Sequence, residues 1–330
     1  MMIVRLWRQG GDCRAVVGVL FCIACQAALS QLLTAQLPST QLQTAQLPTK
    51  DPRAPGAASS EKPSTNPASA AIEATLRRDL EAHPNSAPLL YKLGEVLRLE
   101  NKPKDSLEIF TQAAKLQNPN AAQLRSVALD YVLLDDFNDA IHWLQVGAAM
   151  EPENADVHYS LGRCLYSASR YSEAEAAFLR VLEIKPDHLK AEENLGLIYD
   201  YANQPEKAEA ALRKAAEWAG PESKDEWPFL DLGGFLLDHD RAAEAVPFLQ
   251  RGASINAACT ACHEKLGRAL VATGEAKGGV KELEIAAQLD PKNAKMHFEL
   301  GRAYRAVGAL DKSRAEFALS QSLYGQHSRD

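Results

Sequence analysis

Cys259, Cys262 and His263 stand in the order Cys-x-x-Cys-His, the spacing by which two thioethers attach a haem whose iron takes the histidine as axial ligand. The same residues also suit a disulfide, or two free thiols at a helix start, and the sequence leaves the three open. A haem would need a cavity and usually a second axial ligand. Apart from Met1 and Met2, only Met150 and Met296 offer a methionine for that place. Zinc is disfavoured, because one Cys-x-x-Cys with a single histidine lacks the remaining ligand pair.

No other catalytic signature is present. The chain has no Gly-x-Ser-x-Gly, His-Glu-x-x-His, phosphate-loop or dinucleotide-binding glycine pattern. Adjacent carboxylates such as Glu192-Glu193 and Asp135-Asp136 are ordinary on solvated helix faces and loops, and Cys164 falls within a helical pattern and reads as buried. With 36 basic and 43 acidic residues the formal charge is −7; residues 1–30 hold three arginines and one aspartate, so the remainder carries −9. Such a body repels nucleic acid phosphates unless a local basic stripe overrides the net charge, and no such run occurs. The reading is therefore non-enzymatic, with no cofactor, no metal and no nucleic acid partner; a c-type haem or thiol redox protein using Cys259, Cys262 and His263 is the alternative.

What positions the Cys-x-x-Cys-His stretch is a periodic array. Leu-Gly pairs occur at Leu93-Gly94, Leu161-Gly162, Leu195-Gly196, Leu232-Gly233, Leu266-Gly267 and Leu300-Gly301, with Val127-Ala128 in the one vacant slot. Starting units at Ala87, Ala121, Ala155, Leu189, Glu226, Thr260 and Ala294 puts each pair at positions 7 and 8, with a spacing of 34 except for one step of 37. Position 20 is always small (Ser106, Ala140, Ala174, Ala208, Ala245, Gly279, Ser313), and position 24 always large (Phe110, Leu144, Phe178, Leu212, Leu249, Leu283, Phe317). Positions 4, 7, 8 and 11 share one face of a first helix, and 20, 24 and 27 one face of a second. Small residues at 8 and 20 admit close helix approach, and the large residue fills the space between. Pro152, Pro186 and Pro291 at position 32 stop the second helix.

From about Ala87 to its end the chain resembles the tetratricopeptide family, whose period is about 34. The resemblance implies an all-α, right-handed solenoid of about seven helix pairs (residues 87–330). Residues 71–86 read as an N-terminal capping helix, with Pro84 in register as position 32 of a half unit. The step of 37 places three extra residues around Gly220-Pro221, either a tolerated loop or a bend near Trp218 and Trp227 that splits the groove. Phe317, Leu319, Leu323 and Tyr324 lack a following helix to cover them, which makes self-association through the last unit a candidate.

Ahead of the array, Arg5, Arg8 and Arg14 precede an uncharged apolar run from Ala15 to Leu29, the pattern of an export signal within residues 1–30. Fifteen helical residues reach about 22 Å, short of a bilayer core of about 30 Å. Cleavage before Gln31 is expected, with an uncleaved anchor or lipidation at Cys25 as alternatives. Residues 31–70 hold no aromatic side chain and are rich in Gln, Thr, Pro and Ala, the composition of a disordered linker. Such a linker has an end-to-end distance of about 35 Å and would be a membrane tether if the signal is retained. The expectation is an exported protein, periplasmic or envelope-associated.

In the family this array resembles, positions 2, 5, 9, 12 and 13 of the first helices line a concave, partner-binding groove. Carried over, they select Tyr91, Arg125, Tyr159, Arg163, Tyr166, Tyr201, Arg268, Phe298, Arg302 and Arg305 as a peptide-binding lining. The lysine at position 5 and asparagine at position 9 that chaperone-tail binders need are absent from every unit. The expected partner is another protein or peptide.

Overall fold

The computed structural model describes residues 67–327, and every regular element among them is a helix. The expected signal and most of the linker lie outside the described residues. Helix α1 (Pro67–Ala82) begins before the predicted cap and ends short of residue 86. Seven pairs follow: α2 (Ala87–Leu99) with α3 (Pro103–Leu116), α4 (Ala121–Leu133) with α5 (Phe137–Met150), α6 (Ala155–Ser167) with α7 (Tyr171–Ile184) and α8 (Leu189–Tyr201) with α9 (Pro205–Ala219). Then come α10 (Trp227–Asp238) with α11 (Ala242–Ile255), α12 (Thr260–Ala272) with α13 (Ala276–Leu289) and α14 (Ala294–Ala306) with α15 (Leu310–His327).

Each pair closes on positions 8 and 24. A methyl group added at Gly162 would lie 2.7 Å from the Phe178 ring, and one at Gly196 would lie 2.6 Å from Leu212 and 3.3 Å from its backbone nitrogen. Leu144, Phe178, Leu212, Leu249 and Leu283 at position 24 are all 1% exposed or less. In the second unit Ala128 and Leu144 are both fully buried in the same core cluster.

The turn inside each pair has a second regularity. Asn101, Asp135, Ser169, Asn203, Asp240, Gly274 and Gly308, all at position 15, have positive φ between 54° and 90°. Glycine, asparagine and aspartate tolerate this left-handed conformation best. Between pairs, the side chains of Asn120, Asn154 and Asn293 cap the next first helix.

Second helices pack on the next unit's first helix, and in five of six junctions consecutive first helices also touch; no two second helices do so to a comparable extent. The first helices therefore line the inner face. The array continues across the 37-residue step, where the longer loop carries Gly220 at φ 68°. At the last unit, Arg314 and Gln321 are exposed at the positions where Val280 and Ala287 are buried one unit earlier. That end is blunted by polar residues, although Leu319 and Tyr324 stay exposed.

One buried carboxyl joins the first two units. Asp130 on α4 is fully buried, with Oδ2 2.6 Å from Ser106 Oγ, and Ser106 Oγ lies 2.8 Å from the Gly94 carbonyl. Ser313 makes the same bond to the Gly301 carbonyl. A hydroxyl has one proton, so a serine donating to Gly94 needs Asp130 to be the donor to it. Burial pushes this carboxyl up to about 7, partly offset by Ser106 and Arg98.

Two tests follow from this packing. Gly196→Ala is expected to lower unfolding free energy by roughly 1–3 kcal/mol in urea titration, because the clash includes backbone. For Asp130 the folded pKa is raised, so its contribution is present below the unfolded value of about 4 and is lost as pH rises through about 7. Asp130→Asn should therefore flatten stability between pH 5 and 8, removing a decline of roughly 2–4 kcal/mol expected in the parent.

Candidate functional site

The inner face divides into three stretches. At the N-terminal end, Tyr91 is only 6% exposed, and its hydroxyl donates to the Gln117 carbonyl at 2.7 Å. This tyrosine ties α2 to the end of α3 and offers no ring to a partner. Burial pushes its phenol up to about 12. Arg125 is half-buried on α4.

Aromatic side chains dominate the middle stretch. Tyr159 is half-buried against Phe178 at 5.8 Å and His188 at 5.0 Å, and burial raises its phenol pKa. Arg163 and Tyr166, both half-buried, follow on the same helix. Tyr166 meets Tyr171 edge-on at 5.4 Å, and Tyr171 meets Tyr201 at 4.2 Å. These three rings form a ladder from the third unit to the fourth, ending at Tyr201, which is 70% exposed. Tyr171 escaped the sequence pattern because it opens a second helix; its place five residues after Tyr166, across the turn, was the available signal.

Beyond it, Lys190 of α8 pairs with Glu193 at 3.1 Å and reaches Asp225 of the inserted loop at 2.5 Å. The fifth unit presents Gly234, crossed by the Lys265 side chain. At the C-terminal stretch, Glu264 is buried beneath Lys295 at 2.8 Å and Arg268 at 3.5 Å. Phe298 is 45% exposed and rests on Phe317 at 5.5 Å; Arg305 lies over the same ring, and Arg302 reaches Glu299 at 3.2 Å. The fold thus gathers Tyr159, Arg163, Tyr166 and Tyr201 at one place, and Phe298, Arg302 and Arg305 at another four units on.

The Cys-x-x-Cys-His stretch lies where α12 begins. Cys259 and Cys262 are disulfide-bonded to each other. His263 is 6% exposed, with Nδ1 2.7 Å from Glu282 and Nε2 3.2 Å from the Ala257 carbonyl. His297 repeats this arrangement with Glu316 and the Pro291 carbonyl. His263 and His297, both at position 4, are thus packing elements that tie both helices of their pair to the preceding turn, and neither ring nitrogen of His263 points to open space.

Residues 128–188 and 264–327 match one tetratricopeptide repeat model, and 193–221 match another. These segments are tetratricopeptide repeats. Among curated proteins, tetratricopeptide repeat-containing protein trd-1 of Caenorhabditis elegans is 28% identical over 148 residues, 44% of this chain and 18% of the relative. Protein O-mannosyl-transferase TMTC2 of Homo sapiens is 26% identical over 113 residues, 33% of this chain and 14% of the relative. The chain spans less than a fifth of the length of either. Among solved structures, a tetratricopeptide repeat protein from Parabacteroides merdae aligns with TM-score 0.57 at 16% identity, over 71% of this chain and 92% of that one. PilW, described as a widely conserved type IV pilus biogenesis factor, aligns with TM-score 0.56 at 17% identity, over 62% and 94%. At such identities the likeness is one of fold, that of the tetratricopeptide solenoid, a scaffold typical of protein–protein interaction.

Tyr91→Phe is expected to cost about 1 kcal/mol in denaturant unfolding through the lost bond to Gln117, while leaving partner binding unchanged. A binding defect without a stability loss would return Tyr91 to the lining.

Proposed function

We propose that this chain is a non-enzymatic scaffold of the bacterial cell envelope that holds an extended or helical peptide of another protein against its first helices. The observation that carries the binding reading is the tyrosine ladder from Tyr166 through Tyr171 to Tyr201 beside Arg163. Aromatic rings give a large contact area at little conformational cost, and a guanidinium suits carboxylate or carbonyl acceptors. Phe298, Arg302 and Arg305 supply a second anchor of the same composition. The envelope role rests on the Arg5 to Leu29 pattern, which also allows a membrane tether. The type IV pilus role belongs to PilW; for this chain it is one envelope assembly among those a scaffold could serve.

A haem at Cys259 and Cys262 finds no support in an arrangement where the sulfurs are joined to each other and His263 is engaged at both nitrogens. Pairing of two copies through the last unit is a separate reading, supported by Leu319 and Tyr324, which are exposed beside Arg314 and Gln321.

A photo-crosslinking residue at Tyr201 should capture an envelope partner that the same residue at Leu179, exposed on a second helix, does not. Combined Arg163→Ala and Tyr166→Ala substitution should weaken that partner's binding about tenfold or more, with the folded helix content retained. Equal capture at both positions, or unchanged affinity, would remove the inner face from the reading.

A further inference from the structure

The disulfide between Cys259 and Cys262 does no visible structural stapling. Both cysteines belong to the start of α12, at a sequence separation of 3, so the bond ties no element to another. So short a loop also restricts little of the unfolded chain, which is the main source of disulfide stabilisation in the chain-entropy account.

Its position in the repeat is informative. Cys259 is the N-cap of α12, where the second, third and seventh units place Asn120, Asn154 and Asn293. Those asparagines accept a backbone N–H through a carbonyl oxygen; Cys259 accepts the Cys262 N–H through sulfur at 3.1 Å. A disulfide sulfur is a poor acceptor. A thiolate in the same place would carry the charge that a helix N-terminus favours and would make a charge-assisted cap. Such a thiolate cap would favour the reduced pair over the oxidised one, the condition for a labile, oxidising disulfide.

Access is unequal. Cys259 is half-buried, and Cys262 is fully buried, its sulfur set toward Gly252 of α11. An incoming thiol can meet one sulfur and not the other. His263 takes no part in proton transfer here, since Glu282 and the Ala257 carbonyl occupy both ring nitrogens.

We propose that Cys259 and Cys262 are a redox-active pair that accepts two electrons from a dithiol of another protein. The partner's thiol gives up its proton and attacks Sγ of Cys259, the Cys259–Cys262 bond breaks, and Cys262 leaves with the bonding pair and takes up that proton. The partner's second thiolate then attacks its own sulfur in the mixed disulfide and releases Cys259 as the capping thiolate. The partner ends as a disulfide and this chain as a dithiol, so atoms and electrons balance. This activity is separate from peptide binding on the inner face.

The test uses the full chain with alkylation followed by peptide mass mapping. In Cys262→Ala, Cys259 should react with iodoacetamide at pH 6 at least about tenfold faster than glutathione does, while Cys164 stays unmodified because burial pushes its thiol up to about 12. The oxidised parent should take electrons from a synthetic Cys-x-x-Cys dithiol peptide, leaving that peptide as a disulfide. Cys259→Asn keeps a cap that three other units already use, so it should fold normally and lose the exchange. A Cys259 rate equal to that of glutathione, a parent disulfide that leaves the dithiol peptide reduced, or exchange that persists in Cys259→Asn would each overturn the proposal.

Discussion

Everything in this array depends on how closely two helices approach at position 8. Where a glycine stands there, an added methyl group would sit 2.6–2.9 Å from the side chain at position 24. That distance is inside van der Waals contact, so the helix pair is set by a missing side chain as much as by the large one filling the gap. Once the pair is closed, its second helix presents a fixed apolar surface to the next first helix. The inner face then follows as a by-product, because first helices also touch one another along the array.

Much of this was legible in the sequence, because positions 8, 20 and 24 each demand one property, size, and residue type reports size directly. The left-handed turn at position 15 was not. Asn101, Ser169 and Gly274 share a backbone conformation and no side-chain property that a composition pattern would register. The inner face was legible only in part. Position 5 selects both Tyr91 and Phe298, yet the first is buried with its hydroxyl bonded and the second is 45% exposed. A position in a repeat specifies direction, while depth depends on neighbours. Tyr171 was missed for the complementary reason, since it reaches the ladder from a second helix. Asp130 carries no signal in the repeat pattern, and only its burial beside Ser106 distinguishes it.

Charge on the inner face is largely accounted for internally. Lys190 with Glu193 and Asp225, and Glu264 with Lys295 and Arg268, are pairs formed before any partner arrives. Glu193 and Glu264 are buried, so these cations compensate carboxylates that would otherwise be left unpaired out of water, and the pairing keeps neighbouring cations from repelling one another. Aromatic and guanidinium surface at the two clusters is consequently presented on a nearly balanced background, where shape and ring contact can discriminate more than net charge.

Because each described helix touches only near neighbours in the chain, no contact spans the array from end to end. A load applied along it would be borne by one interface at a time. Such a chain is compliant like a spring of identical turns: small forces change its pitch, and larger ones peel units from an end while the rest stay folded. A protein that grips the inner face across several units would therefore also set the array's length and stiffness.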